Sequence, residues 1–300
     1  MKKTLIIATR TGSLAIVQTQ IVVSAIQKLY PALDIRIKKI ASEGDKDRRT
    51  TLWELKETGF FTSILEDALL AGQADLAVHS FKDLPTAIRE GLTIEAVLDR
   101  KFPEDCLVTA SPIKSLDELP NEAIVGTSSL RRTVQLKRLR NDLRCVPIRG
   151  NVTTRLKKLE HGDSLRDRFD AIVLARAGLE RLGLGDKASI IFDPTKFIPS
   201  PAQGALAVEI RADDAETKEI ISKLDDKDAR ITTTAERQVF SALGCGCHAP
   251  AGVFARLSEG KITIWGCLSD PDGSNFRHAT FSGPINDSAK LAKSLADKLR

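Results

Sequence analysis

The chain contains 300 residues, enough for two or three domains that each bury a core. Hydrophobic residues make up 42% and charged residues 28%, which is typical of an ordinary soluble globular protein. The 45 Lys and Arg against 40 Asp and Glu leave a formal charge of only +5, and aromatic residues make up 5%. This mild charge and the scarcity of stacking rings argue against nucleic-acid binding as the main function.

The sequence also argues against a membrane or secreted protein. No apolar run reaches the roughly 18 residues that a membrane-spanning helix needs. The first apolar run, Leu5–Ala8, is too short for a signal peptide and is typical of a buried strand. The cysteines are odd in number and scattered, which predicts reduced thiols and a cytoplasmic protein; they are Cys106, Cys145, Cys245, Cys247 and Cys267.

The N-terminal segment predicts a β-α-β unit. An apolar strand over 5–9 is followed by a helix from Ser13, its expected N-cap, to about Leu29, and then by a strand over 34–40. Arg10 stands at the carboxyl end of the first strand. Open α/β sheets bind ligands at this edge.

The next segments predict a loop and a second polar strand end. Residues 41–58 are charged and weakly apolar, which favours a mobile lid loop. A helix over 60–71 and a strand over 75–78 lead into the motif His79-Ser80-Phe81-Lys82-Asp83-Leu84-Pro85. One interpretation is a surface loop with a Lys–Asp pair. The other makes Asp83 a general acid or charge stabiliser that Lys82 keeps ionised.

Arginines follow several strands in the middle of the chain. Strands are predicted over 92–98, 106–110, 123–126, 144–148 and 170–174. Thr127-Ser128-Ser129-Leu130-Arg131-Arg132 begins a helix, where free N–H groups and hydroxyls can bind an anion. Arginines at a helix start oppose its dipole, so stability alone does not account for them. Because Arg149, Arg155, Arg176 and Arg181 follow the next two strands, we expect a ligand with several acidic groups.

The C-terminal third predicts a small α+β domain. After an extended crossing segment over 197–201 come a strand over 204–210 and helices over 213–224 and 230–243. Alternating strands over 253–257, 261–268 and 276–281 then precede a final helix over 287–299.

The stretch Gly244-Cys245-Gly246-Cys247-His248-Ala249-Pro250 carries two thiols and an imidazole among small residues. A structural cysteine, a zinc site and a redox pair are all possible interpretations. No second Cys/His cluster has zinc-site spacing, and Cys-x-Cys lacks the two-residue spacer of the usual dithiol motif. The remaining interpretation is an exposed thiolate that serves as nucleophile or attachment point.

Together these motifs resemble the hydroxymethylbilane synthase family, also called porphobilinogen deaminases, almost from end to end. The marks are Ala8-Thr9-Arg10, His79–Pro85, Val125–Arg132, Arg149-Gly150-Asn151-Val152 and Gly246–Pro250. The resemblance implies a transferase that joins four porphobilinogen molecules head to tail with loss of ammonia. It also implies a dipyrromethane cofactor bound through a thioether to Cys247, with Cys245 as a neighbouring thiol that could compete.

The resemblance also implies the fold. Two doubly wound α/β domains like those of periplasmic binding proteins would be followed by a small α+β domain. We expect domain 1 at 1–98 and 199–218, domain 2 at 103–194, and domain 3 at 223–300. The family resemblance further implies a monomer.

The resemblance assigns roles to individual side chains. Asp83 would be catalytic, stabilising the cationic azafulvene left by ammonia and moving protons at nitrogen. The expected cofactor-binding residues beside Cys247 are Ser80, Lys82, Thr127, Ser128, Ser129, Arg131, Arg132 and Asn151. The expected substrate-binding residues are Arg10, Gln18, Arg149, Arg155 and Arg181, and no metal is expected. The chain departs from the family pattern at Gly12, Thr58 and Ala202.

Two other functions fit parts of the sequence. A non-catalytic binding module of the same architecture would use the strand-end arginines to capture small anions. A zinc or thiol-redox protein would use Cys245, Cys247 and His248. These functions differ from the enzyme in what is attached to Cys247.

Overall fold

The computed structural model describes residues 2–41, 62–162, 168–244 and 249–300. The chain divides into two compact units, unit 1 (Met1–Lys101 and Gly204–Thr233) and unit 2 (Phe102–Gln203 and Thr234–Arg300). The three-domain boundaries predicted from the sequence stay a prediction. Beyond Ala41, the predicted lid through Thr58 lies outside the described residues, as do Cys245, Cys247 and His248.

The secondary structure follows the predicted order of elements. The strands are β1 (Thr4–Arg10), β2 (Asp34–Ile40), β3 (Leu76–Ser80), β4 (Leu92–Leu98), β5 (Asp105–Thr109), β6 (Ile124–Gly126), β7 (Arg144–Val146), β8 (Ala171–Ala175), β9 (Ile190–Ile191), β10 (Leu206–Arg211), β11 (Ala251–Ser258), β12 (Lys261–Leu268) and β13 (Arg277–Pro284). The helices are α1 (Ser13–Leu29), α2 (Ser63–Leu70), α3 (Leu130–Leu139), α4 (Val152–His161), α5 (Arg176–Arg181), α6 (Ala215–Ile221), α7 (Lys227–Leu243) and α8 (Ser288–Leu299).

Unit 1 contains a five-stranded sheet in the order β2-β1-β3-β10-β4. Strands β1, β2 and β3 are parallel, whereas β10 is antiparallel to both β3 and β4. Side chains alternate along each strand, so Ile7 packs with α1 on one face while Ala8 packs with α2 on the other. Helices therefore cover both faces, and the carboxyl ends of β1 and β3 meet at one edge.

Unit 2 contains a second five-stranded sheet with the corresponding order β7-β6-β8-β5-β9. Strands β6, β7 and β8 are parallel, and β5 is antiparallel to β8 and β9. Leu107 and Val173 face α3, whereas Cys106 and Ile172 face α4 and α5. In each sheet the fourth strand in the order runs antiparallel to both of its neighbours. This strand is β10 in unit 1 and β5 in unit 2.

The C-terminal part of unit 2 is a three-stranded antiparallel sheet, β11-β12-β13, against which α8 packs. Gly266 of β12 is needed there, since a Cβ would come within 2.8 Å of Leu299 and 3.1 Å of Leu295. Two doubly wound sheets and this small α+β part confirm the predicted fold class.

One local prediction was wrong, and one strand was missed. Ser13 is the first residue of α1, and Gly12 occupies the N-cap position without a side-chain cap. The sequence pattern also missed β9, because two residues are too short for any alternation to be visible.

A buried carboxylate connects the turn at Ala202 to the small sheet of unit 2. Glu236 of α7 is 0% exposed, and its two oxygens accept the backbone N–H groups of Ala202 (2.7 Å) and Ala255 (2.6 Å). Ala202 is itself buried and has a φ of 59°, a left-handed conformation that non-glycine residues rarely adopt. The two hydrogen bonds to Glu236 hold this strained turn in place.

We expect Glu236→Ala to destabilise the protein, because two buried N–H groups would lose their acceptor. The expected loss is about 3 kcal/mol, at roughly 1–3 kcal/mol for each unsatisfied group. Thermal unfolding followed by circular dichroism should show a melting temperature lower by roughly 6–12 °C. The exposed Glu219→Ala variant serves as control and should melt within about 2 °C of the parent. Equal melting of both variants would contradict this role for Glu236.

Candidate active site

Three predicted site residues lie at one edge of the sheet in unit 1. Arg10 is the last residue of β1 and Ser80 the last residue of the neighbouring parallel strand β3. Gln18 on α1 is 4% exposed, and its Nε2 donates a 2.7 Å hydrogen bond to Oγ of Ser80. The structure thus brings Gln18 and Ser80 into contact, which sequence spacing alone could not predict.

Lys82 and Asp83 follow on a single 3-10 turn, Phe81–Asp83. Phe81 is buried and anchors the turn, and its N–H bonds to the carbonyl of Ala205 at 3.0 Å. Lys82 is partly buried, whereas Asp83 is exposed. The turn is therefore fixed in place, and it holds the exposed carboxylate of Asp83 at the edge of the sheet where β3 ends.

A buried polar pair lies in the sheet just before this turn. Nε2 of His79 is 3.1 Å from Oε2 of Glu209 on the adjacent strand β10, and the side chains are 3% and 1% exposed. Glu209 was not predicted from the sequence as a partner of His79. A charged residue inside the apolar run Leu206–Ile210 was the available signal, since a buried carboxylate requires a partner.

In unit 2 the loop after β6 is held by its own hydroxyl groups. Oγ of Ser128 donates to the carbonyl of Ile148 (2.9 Å) and accepts the N–H of Ile148 (3.1 Å), which joins this loop to the segment after β7. The hydroxyl of the buried Thr127 accepts the N–H of Ser129 at 3.2 Å. Ser129 is the N-cap residue of α3 and makes no side-chain cap.

The two arginines that begin α3 converge on one buried carboxylate, Asp105 at the start of β5. Arg131 and Arg132 are 6% and 7% exposed, and Asp105 is 0% exposed. Nη1 of Arg131 lies 2.7 Å from Oδ2 of Asp105, while Nη2 and Nε of Arg132 lie 2.7 Å and 3.1 Å from Oδ1. Asp105 was not predicted from the sequence, although two buried guanidinium groups require a counter-charge.

Backbone carbonyls and one amide complete this cluster. Nη1 of Arg131 also donates to the carbonyl of Ile198 (2.8 Å), and Nη1 of Arg132 donates to that of Val173 (3.0 Å). Nε2 of Gln203 donates to Oδ1 of Asp105 at 3.1 Å. Burial on its own would raise the pKa of Asp105, but the charges and hydrogen bonds of the two arginines outweigh it and hold this pKa below its usual range.

The segment after β7 carries three further predicted residues. Arg149 is partly buried, and Nε of Arg155 donates to the carbonyl of Gly150 at 2.8 Å. Oδ1 of Asn151 caps α4 by accepting the N–H of Thr154 at 2.8 Å. Gly150 has a φ of 112°, and a Cβ there would clash with Thr154 at 2.6–2.8 Å, so this tight turn requires glycine.

The segment after β8 contains the last two of the arginines that the sequence places after strands of unit 2. Arg176 stacks over the ring of Phe102 at 4.5 Å, and its Nε donates to Oε1 of Glu180 at 3.0 Å. Arg181 is partly buried at the end of α5. Because β6, β7 and β8 are adjacent and parallel, the segments that follow them share one edge of the sheet.

The three described cysteines are poorly suited to thiolate chemistry. Burial raises the pKa of Cys106 to about 12 and that of Cys267 to about 11. It also raises the pKa of the partly buried Cys145. These thiols stay protonated near neutral pH, which disfavours them as nucleophiles.

Within the described parts of the chain, no group of three or more His, Cys, Asp or Glu side chains could hold a metal ion. Nor do these parts contain a helix long and apolar enough to cross a bilayer.

Two family models match the chain. Residues 5–219 match "Porphobilinogen deaminase, dipyromethane cofactor binding domain" and residues 230–300 match "Porphobilinogen deaminase, C-terminal domain". The chain is 44% identical to the porphobilinogen deaminase of Roseiflexus sp. over 299 residues, which is 100% of this chain and 96% of that protein. It is 41% identical to the porphobilinogen deaminase of Chromobacterium violaceum over 98% of this chain and 94% of that protein.

Among solved structures, the chain is similar to the methionine-binding protein MetQ with a TM-score of 0.45 at 12% identity, over 78% of this chain and 95% of that one. The fold class rests on the sheets described above, and the family on the sequence matches. This chain belongs to the porphobilinogen deaminase family, whose first model is that of a dipyrromethane-cofactor-binding domain.

Proposed function

We propose that this protein is a hydroxymethylbilane synthase, a transferase that joins four porphobilinogen molecules on a covalently bound dipyrromethane and releases the linear tetrapyrrole by hydrolysis. The observation that carries the proposal is the set of cationic and hydroxyl donors at the sheet edges of both units, in a chain whose family binds dipyrromethane. Each pyrrole of these molecules carries an acetate and a propionate, so the ligand is rich in carboxylates.

The donor set of unit 2 fits such a cofactor. The guanidinium hydrogen bonds of Arg131 to described residues all involve Nη1, so its Nε and Nη2 can donate to a ligand carboxylate. The hydroxyl of Ser129 stands at the first turn of α3, where the helix dipole favours an anion. When bound, the dipyrromethane would supply the pyrrole end to which the first substrate is joined.

The other predicted cofactor-binding residues differ in whether their polar side-chain atoms are already used in hydrogen bonds within the protein. Ser128 and Thr127 hold the loop in shape, and Oδ1 of Asn151 is used in capping, so these three would act chiefly by shaping the site. In unit 1, Ser80 and Lys82 would bind cofactor carboxylates from the end of β3. Cys247 would provide the thioether sulfur.

Substrate carboxylates would be held by Arg10 and Gln18 in unit 1 and by Arg149, Arg155 and Arg181 in unit 2. A guanidinium group binds a carboxylate in two-point geometry, which orients the ring as well as holding it. Fixing both reacting rings in this way converts a bimolecular coupling into a step between neighbours.

Asp83 would act at the reacting nitrogen. Loss of ammonia leaves positive charge on the incoming pyrrole, and a nearby carboxylate stabilises that charge. The same carboxylate would take up and return a proton at the amine and pyrrole nitrogens. Its exposure on a short anchored turn supports this role, because a group that exchanges protons with substrate must be reachable.

The protein would be a cytoplasmic monomer. Its chain would form domain 1 from 1–98 and 199–218, domain 2 from 103–194 and domain 3 from 223–300. The sheets of units 1 and 2 and the separate sheet β11-β12-β13 support this division.

We expect intact-mass measurement of the denatured protein to show the mass of one dipyrromethane above that of the polypeptide. Cys247→Ser should remove this excess, whereas Cys245→Ser should retain it, because only one thiol forms the thioether. Both variants would be produced in cells that make porphobilinogen. A bare polypeptide mass for the parent protein would favour the binding module, and loss of the excess in Cys245→Ser alone would move the attachment to Cys245.

We expect Asp83→Asn to lower the turnover of porphobilinogen by about 10²–10⁴-fold, the usual contribution of a positioned acid–base group. The melting temperature should stay within about 2 °C, because Asp83 is exposed. Asp213→Asn, also an exposed aspartate of unit 1, is the matched control and should retain full turnover. Turnover by Asp83→Asn at the level of this control would remove Asp83 from the mechanism.

A further inference from the structure

The carboxylate of Asp105 is buried together with the side chains of two arginines. All three side chains are less than 10% exposed, and Gln203, which also donates to Asp105, is neutral. One carboxylate against two guanidinium groups leaves an excess of one positive charge. A buried charge is costly without a counter-charge, so this cluster favours the approach of a further anion.

The hydrogen bonds of the cluster also decide which way each arginine points. Arg132 is held through all three of its nitrogens, two on Asp105 and one on the carbonyl of Val173. Arg131 is held through Nη1 alone, between Asp105 and the carbonyl of Ile198. Its opposite edge, Nε and Nη2, makes no hydrogen bond to a described residue. This edge has the two-point geometry that matches a carboxylate.

We propose that Asp105 is a positioning residue for cofactor assembly: it locks Arg132 in place and turns the Nε–Nη2 edge of Arg131 toward a carboxylate of the dipyrromethane. This inference rests on the proposed function. Without the charge of Asp105, two neighbouring guanidinium groups would repel each other, and asparagine would offer them one acceptor oxygen in place of two. Arg131 would then no longer be held in the orientation that receives the cofactor.

The test follows cofactor loading rather than turnover. Protein made in cells that lack porphobilinogen is incubated with porphobilinogen, and the gain of the dipyrromethane mass is timed by intact-mass measurement. We expect Asp105→Asn to slow loading by about tenfold or more, as a misplaced binding group does. Asp170→Asn makes the same chemical change in unit 2, where Oδ2 of Asp170 accepts the N–H of Ile124, and should load within about twofold of the parent.

The outcomes separate the two proposals. A parent protein that never gains the mass would overturn the proposed function and, with it, the role of Asp105. A parent that loads normally beside an Asp105→Asn variant that loads equally fast would overturn the role of Asp105 alone. Leu143→Ala, a core change in unit 2, separates this role from instability. It should melt earlier yet load at the parental rate, and slow loading by this variant would attribute the Asp105 effect to stability.

If Asp105→Asn does not fold, a measurement on the parent protein tests the role of Asp105. Nitrogen-15 NMR of the arginine Nε–H groups, assigned with Arg131→Lys, would be recorded before and after loading. We expect the Arg131 signal to shift on loading, while the Arg132 Nε–H stays protected from exchange with water in both states. An unchanged Arg131 signal, or an Arg132 signal that loses its protection on loading, would overturn the proposal.

Discussion

Two guanidinium groups and one carboxylate are buried together in unit 2, and neighbouring elements are bonded to them. Asp105 begins β5, Arg131 and Arg132 begin α3, and the carbonyls of Ile198 and Val173 accept their remaining bonds. Removing one partner of a buried ion pair typically costs about 3–5 kcal/mol, because the other charge stays behind uncompensated. The start of α3 therefore depends on a residue 26 positions earlier in the chain.

The strands were predictable because a strand buried on both faces forms a continuous apolar run, whereas a strand packed on one face alternates between apolar and polar residues. The predictions for Asp34–Ile40, Leu92–Leu98 and Lys261–Leu268 agree with the observed bounds. The capping of α1 was not predictable in the same way. A serine at a helix start resembles an N-cap, but the backbone of Gly12 turns into the helix one residue earlier. Local preference decides such positions only when packing does not.

The candidate site was predictable to the extent that it follows strand ends. Parallel neighbouring strands end at the same edge, so Arg10 and Ser80, or Ser129 and Arg149, could be grouped from their sequence positions alone. Asp105 could not be found in this way. Arginines at the start of a helix oppose its dipole, and from the sequence this indicated only an anionic ligand. In the structure, a buried carboxylate from another strand supplies part of the negative charge that the arginines require. Long-range pairing of this kind leaves no periodic signal in the sequence.

Burial separates the two aspartates that matter most here. Asp105 is enclosed and accepts hydrogen bonds from three side chains, so its charge is committed to holding arginines and it cannot exchange protons with a substrate. Asp83 stands exposed on a turn that the buried Phe81 anchors, which combines a fixed backbone with an accessible carboxylate. The same functional group thus serves structure where donors surround it and is available for chemistry where they do not. The type of residue alone does not distinguish these roles, but the hydrogen-bond donors around each carboxylate do.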